Sequence, residues 1–287
     1  MAVRIESRRV VVNALTVDVE DYFQVWALAP YIPRHKWDHT PCRVERNVDL
    51  ILQLLDESDS RATFFTLGWV AERFPEVVRR IANAGHEVAS HGYAHLRADE
   101  LTREAFFADI LLAKSILQDL LGSEVKGYRA PNFSIGAGNA WAYECIAEAG
   151  YEYSSSVYPI QHDHYGVPDA PRFKHHSPLG VPEIPISTVR FMNRNWPAGG
   201  GGYFRLMPYA ISRWLIKRVN EAEEQPAIFY FHPWELDPGQ PRVPGIDSKT
   251  RFRHYLNLHQ TEHRLRQLLA DFQWGRIDKV FLEGEVV

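Results

Sequence analysis

Between residues 10 and 235 the sequence switches repeatedly between short runs rich in β-branched and aromatic residues and longer stretches with helical spacing. VVVNALTV (10–17), RATFFTLGWV (61–70), HEVASHG (86–92), VKGYRAP (125–131), YEYSSSV (151–157) and AIFYFHPWE (227–235) read as strands. Between them, 43–56, 74–85, 102–122, 139–150 and 207–224 read as helices. Pro75 opens the second of these, and Gly85, Gly122 and Gly150 close three of them. Such alternation demands βαβ units and a parallel sheet. The number of units favours a closed or nearly closed, distorted (β/α) barrel of about seven strands. The alternative is an open doubly wound sheet. No G-x-G-x-x-G follows the first strand, so a dinucleotide fold lacks its phosphate-binding turn. Residues 250–273 read as one further amphipathic helix, expected to pack on the barrel, so that 1–287 forms a single domain with a core of about 10–235 and an extension over 236–287.

The strands share a second property: they end in chemistry. Asp18 and Glu20, His91, Arg129, Ser154 to Ser156 and His232 all stand at the C-terminal ends of expected strands. In a parallel α/β fold those ends lie on one face, where sites form. The acidic cluster Asp18, Glu20, Asp21 is the most demanding, because adjacent carboxylates repel unless a cation lies among them. On a strand Asp18 and Glu20 point the same way. The alternative for the cluster is a solvated turn. His91 and His95 are four apart, and on one helical turn both rings could meet one ion. With one carboxylate they make a three-ligand site with an open position, the arrangement of a catalytic zinc. Glu20 is the preferred acidic ligand, with Asp21 next. Taken alone, the two histidines are a surface pair, Arg129 a surface cation and His232 a packed or capping histidine. The glycine run at 199–202 lacks the Lys-Ser/Thr ending of a phosphate loop and reads as a flexible loop or lid. Trp26, Trp37, Trp196 and Trp234 fall in expected loops, where they either stack on a sugar or simply pack.

Composition removes several classes. Net charge is -4, with 36 acidic and 32 basic residues mixed along 287 positions, so there is no basic block for nucleic acid. No run approaches the 18 apolar residues of a membrane span. Cys42 and Cys145 are the only cysteines, too few for a disulfide framework. The first residues carry no apolar core of signal-peptide length. A soluble, cytoplasmic protein is expected, its oligomeric state open.

"TVDVED", "HGYAH", "RAPNF", "YSSSVYP" and "FHPWE" occur in the order of the five motifs of the polysaccharide deacetylases, carbohydrate esterase family four, which the chain resembles over residues 12 to about 235. "DVEDYF", "GGGYFR" and the tail "HYLNLHQTEHRLRQLL" are similar to the exosortase-associated branch of exopolysaccharide gene clusters. The resemblance implies removal of acetyl groups from N-acetylated sugars of a polysaccharide or its precursor, with one divalent metal, zinc being preferred. It implies that Asp18 is the general base, oriented by Arg129. It implies that His232 is the general acid, and that an acidic residue of the first motif with His91 and His95 holds the metal. The first motif departs from the family's two adjacent Asp followed by Gly, since Val19, Glu20 and Asp21 follow Asp18. In the third motif the position three after Arg129 is Asn132, with Phe133 next, and these two with Trp234 are the expected substrate contacts.

Three other classes compete. A metal-free cyclic amide hydrolase of the same fold is expected to lack the histidine pair. A carbohydrate-binding barrel with a decayed site is expected to have lost reactive groups that are all present here. A metal-dependent phosphoesterase wants more basic groups or a second metal.

Overall fold

A computed structural model describes residues 11–283. The N-terminal segment read above as lacking a leader and Val10, the first residue of the first expected strand, lie outside the described residues.

Eleven strands are described: β1 (Val12–Val19), β2 (Thr63–Thr66), β3 (Glu87–Ser90), β4 (Gly127–Tyr128), β5 (Tyr153–Ser154), β6 (His175–His176), β7 (Pro182–Glu183), β8 (Thr188–Phe191), β9 (Arg194–Pro197), β10 (Ile228–Phe231) and β11 (Gln273–Gly275). The main sheet runs β10-β1-β2-β3-β4-β5-β7-β6. Every pairing from β10 to β7 is parallel, and only β6 on β7 is antiparallel. The sheet curls on itself. Segment 184–187 continues from β7 alongside β5 and reaches β10, where Ser187 Oγ accepts from the Ile228 N–H at 2.7 Å. The result is the expected α/β architecture, a curled half-barrel of about seven parallel strands.

Among the described residues there are nine α-helices: α1 (Val44–Glu57), α2 (Gly68–Arg73), α3 (Pro75–Asn83), α4 (Arg103–Leu121), α5 (Ala142–Glu148), α6 (Gly201–Leu206), α7 (Tyr209–Glu221), α8 (Ser248–Tyr255) and α9 (Leu258–Asp271). Their ends follow local chemistry. Thr102 caps α4 by accepting from the Ala105 N–H at 3.2 Å, and Gly122 closes it with φ +63°, a conformation that glycine adopts without a Cβ penalty.

Strand alternation sorts the core into two layers. Leu15, Val17, Val19, Phe64, Phe229 and Phe231 face the helices. Ala14, Phe65, Ala89, Tyr153, Ile228 and Tyr230 fill the inside of the curl. The same inward register reaches Asp18 near the end of β1, and two residues past Ala89 and Tyr230 it reaches His91 and His232. The sheet therefore delivers its interior line of side chains to one rim.

Several boundaries differ from expectation. The run 61–70 is strand only over Thr63–Thr66, and Gly68 opens α2. The expected strands at 125–131 and 151–157 shrink to two residues each. The tail is two helices rather than one, broken at Asn257 with φ +52°. The extension is not purely helical either: β11 returns to pair with β1.

Candidate active site

Asp18 lies at the end of β1, 2% exposed. Its Oδ1 accepts from Arg129 Nη1 at 2.6 Å. The guanidinium is fully buried, which requires that its donors be satisfied. Nη1 also reaches Thr16 Oγ1 at 2.8 Å, Nε the Ser155 carbonyl at 3.0 Å and Nη2 Ser155 Oγ at 3.0 Å. The face of Phe65 lies 4.0 Å from Cζ. Arg129 is thus fixed on several sides. Ser154 to Ser156 serve this frame rather than the cavity: Ser156 Oγ accepts from the Ala130 N–H at 2.9 Å and from Ser154 Oγ at 2.8 Å.

Beyond β1 the chain turns at Glu20, and Glu20, His91 and His95 bring one ligand atom each to within 4.8 Å of one another. His91 Nδ1 lies 2.9 Å from the Arg129 carbonyl. Donating there sets the tautomer and leaves Nε2 with its lone pair for the trio. Burial holds the His91 pKa down at about 4. His95 Nε2 is 2.7 Å from Glu20 Oε2. Glu20 Oε2 is nevertheless a buried oxygen that accepts no hydrogen bond from any described residue. Two imidazole nitrogens and a buried carboxylate oxygen converging out of solvent are the donor set of a divalent metal. The described residues fit one.

The two histidines do not meet on a helical turn, as the spacing suggested. They meet across a loop with Gly92 at φ +73° and His95 at φ +54°, with ring centroids 5.3 Å apart. Asp109, which the sequence did not signal, ties that loop by accepting from the Tyr93 and Ala94 N–H groups at 2.9 and 3.2 Å.

Asp21 does not join the trio. It caps the following turn, accepting from the Tyr22 and Val44 N–H groups at 2.7 and 2.9 Å, from Cys42 Sγ at 2.9 Å, and from the Arg43 N–H. Its two oxygens are spent on the backbone. The candidate ligand is Glu20 alone of the pair.

His232 follows β10 on the other side of the trio. Its Nδ1 is 2.8 Å from Glu235 Oε1, and its Nε2 is 3.5 Å from Glu20 Oε1. Burial pushes its pKa down, but the charges of Glu20 and Glu235 outweigh this and hold it up at about 9. Glu235 in turn meets Arg205 Nε at 2.6 Å. Burial pushes Glu235 up, while Arg205 and His232 bring it down to about 2. Arg205 Nη1 donates to the His254 and Leu256 carbonyls at 3.0 and 2.8 Å, anchoring this second frame in the C-terminal extension. Glu235 carried a local signal, three residues after His232 on one turn. Arg205, 30 residues away, carried none.

Gly199, Gly200 and Gly201 of the glycine run form a packed seam and not a lid. A Cβ on Gly199 would come within 2.3 Å of the Ile228 carbonyl oxygen, one on Gly200 within 2.7 Å of the Tyr230 ring, and one on Gly201 within 2.1 Å of Glu235 Oε1.

Asn132 and Phe133 both line the cavity, at φ +57° and +48°. Strained backbone of this kind gathers at functional sites. The Asn132 side-chain oxygen is buried without a partner. Phe133 packs edge-on to Tyr230 at 4.8 Å. Trp234 also lines the cavity but offers no free face for a sugar. It is stacked between His232 and His254, at 5.3 and 4.4 Å, and its indole N–H donates to Glu20 Oε1 at 3.2 Å. Trp26 lines the cavity, Trp37 packs against Phe23 and Trp69, and Trp196 is half-exposed on β9. Among the described residues no helix is long and apolar enough to cross a membrane.

Residues 35–154 match the polysaccharide deacetylase family, and residues 155–282 match a domain of unknown function, DUF3473. A peptidoglycan-N-acetylglucosamine deacetylase of Bacillus cereus is 38% identical over 81 residues, covering 28% of this chain and 30% of the relative. A peptidoglycan deacetylase of Helicobacter pylori is 29% identical over 113 residues, covering 39% of this chain and 38% of the relative. The chain therefore spans well under half the length of these curated relatives. A crystal structure from Mycobacterium smegmatis, described as a polysaccharide deacetylase, superposes with a TM-score of 0.60 at 20% identity, over 93% of this chain and 87% of the other. That likeness shows the fold. Residues 35–154 are therefore similar in sequence to the polysaccharide deacetylases, and the chain shares the fold of that solved structure.

Proposed function

We propose that this chain is a metal-dependent hydrolase that removes the acetyl group from an N-acetylated sugar of a polysaccharide or its precursor. The carrying observation is the converging trio of Glu20, His91 and His95, with Asp18 on Arg129 to one side and His232 on Glu235 to the other. A divalent metal there, zinc by its histidine and carboxylate donors, supplies Lewis-acid polarisation of the acetamide and lowers the pKa of water.

The protein's own groups then divide the proton work. Arg129 occupies Oδ1 of Asp18, and no hydrogen bond to Oδ2 is described, so that oxygen is the one placed to take a proton from the attacking water. His232, kept protonated by its carboxylate neighbours, holds a proton on Nε2 for the departing amine, which is a poor leaving group without it. Glu235 and Arg205 hold the imidazole in place. Asn132 is proposed to contact the substrate through its unpaired side-chain oxygen. The presence of His91 and His95 beside Glu20 speaks against the metal-free cyclic amide reading.

The reaction belongs, on this proposal, in the cytoplasm, where the unpaired Cys42 and Cys145 stay reduced, and in exopolysaccharide assembly, which the "DVEDYF" and "GGGYFR" segments support. Acetate release from N-acetylated chito-oligosaccharides and from a nucleotide-linked N-acetyl sugar tests the activity. It is measured after chelation and again after adding zinc or cobalt. Metal-restored acetate from either substrate is expected. A chain that binds no metal overturns the reading.

A further inference from the structure

The cavity over the candidate site, about 560 Å³, also takes in residues that this chemistry does not use: His162, His164, Lys249 and Arg253. Lys249 and Arg253 sit one turn apart on α8 and share a single carboxylate. Lys249 Nζ is 2.6 Å from Asp163 Oδ2, and Arg253 Nη1 is 3.2 Å from both Asp163 oxygens. Asp163 itself does not line the cavity, whereas both cations do. The carboxylate therefore grips them from behind. An ammonium has three donors and a guanidinium five. One nitrogen of each is used here, and no further hydrogen bond from Arg253 Nε or Nη2 is described. The other acid on this wall, Asp247, is committed to capping α8, accepting from the Lys249 and Thr250 N–H groups at 2.9 and 3.0 Å. Two cations held by one acid, with the Asp247 carboxylate turned to the α8 N-terminus, leave surplus N–H donors for whatever enters. Beside them Leu206 and Phe252 line the same cavity while more than half exposed.

We propose that Lys249 and Arg253, oriented by Asp163, bind a phosphate or diphosphate group carried by the substrate. The N-acetylated sugar is then taken as a phosphate-linked precursor and not as an interior unit of a neutral polymer. This rests on the deacetylase reading above. A phosphate ester presents the charge and the several acceptor oxygens that two cations with spare donors can satisfy. Leu206 and Phe252 would lie against the carrier beyond the phosphate, a nucleoside or a lipid chain.

Calorimetric titration of the full chain, freed of metal so that phosphate cannot bind there, tests this apart from any turnover. The probes are N-acetylglucosamine, its 1-phosphate and N-acetylmuramic acid, which carries a carboxylate instead. The 1-phosphate is expected to bind about 10- to 100-fold more tightly than the neutral sugar. The Lys249→Gln/Arg253→Gln double variant is expected to lose that preference, and Lys249→Arg/Arg253→Lys to keep it. Both pairs are surface-exposed changes, and an unchanged melting temperature shows that they fold. Equal affinity for the neutral and phosphorylated sugars overturns the proposal, as does a preference that survives in the glutamine variant. An equal gain with the carboxylate sugar overturns the assignment to phosphate. A further gain with a uridine diphosphate sugar supports a nucleotide carrier, and one with a short prenyl diphosphate sugar supports a lipid carrier. Because the readout is binding, it stands even if no acetate is released.

Discussion

Gly201 lies against the carboxylate of Glu235: a Cβ on residue 201 would come within 2.1 Å of Oε1 and 2.4 Å of Oε2. Glu235 is held on its other sides by Arg205 and His232, so it has nowhere to move without taking the imidazole with it. Gly201→Ala is therefore expected to lower kcat by about 10²-fold, the cost of a misplaced reacting group. Metal content by elemental analysis should remain at the wild-type level. Wild-type kcat in this variant would show that Glu235 does not position His232.

Asp18→Asn and His232→Ala should each reduce turnover by about 10²–10⁴-fold, the range for a lost general base or acid. Both variants should still bind metal, since neither side chain belongs to the trio. Near wild-type acetate release from Asp18→Asn would remove Asp18 from the role of base.

Glu20 and Asp21 are adjacent acids with opposite fates, and two substitutions separate them. Glu20→Gln is expected to abolish stoichiometric metal binding. Asp21→Asn is expected to keep the metal but to destabilise the fold by about 1–3 kcal/mol, because several buried N–H groups lose their charged acceptor. Elemental analysis and urea titration read the two effects independently. Loss of metal in Asp21→Asn would contradict the placement of its carboxylate.

Arg129 is fully buried and its Asp18 partner nearly so. Arg129→Met leaves an uncompensated buried carboxylate, and breaking such a pair costs about 3–5 kcal/mol. The shift in denaturant midpoint, at constant slope, measures it. A shift below about 1 kcal/mol would mean that Asp18 is solvated once the guanidinium is gone.

His232 gives the metal-free protein a pH signature. Its pKa is raised from 6.5 to about 9 in the folded state, so the protonated form favours folding. The contribution is complete below pH 6.5 and is lost as pH climbs through 9. The chelated protein should lose stability across that window, and His232→Gln should flatten the slope. Thermal unfolding at several pH values after chelation reads this directly. An unchanged slope in the variant would assign the effect to another group.

Much of the site was legible because strands announce both their direction and their ends. An apolar run that stops at Asp18, His91, Arg129 or His232 places that residue at the C-terminal rim of a parallel sheet, and alternation decides which face it continues. Short strands were less legible. β4 and β5 are two residues each, because most of 125–131 and 151–157 is irregular backbone that carries Arg129, Ser155 and Ser156 and forms no ladder. The glycine run was misread as mobile because a close approach between distant segments leaves no local trace. Only the proximity of Gly199 to β10 and of Gly201 to Glu235 shows why side chains are excluded there.

By itself, then, the sequence determined the alternation that curls into a parallel half-barrel and the types of reactive group at its rim, since both follow from period and order along the chain. The tertiary structure decided the partners. It turned Asp21 away to cap a helix and left Glu20 facing two histidines, because the chain leaves the strand at Val19 and bends. It set Arg205 and the C-terminal extension behind His232, and it laid Trp234 between two imidazoles. Those assignments depend on distances between residues tens to hundreds of positions apart, and no local pattern carries such distances.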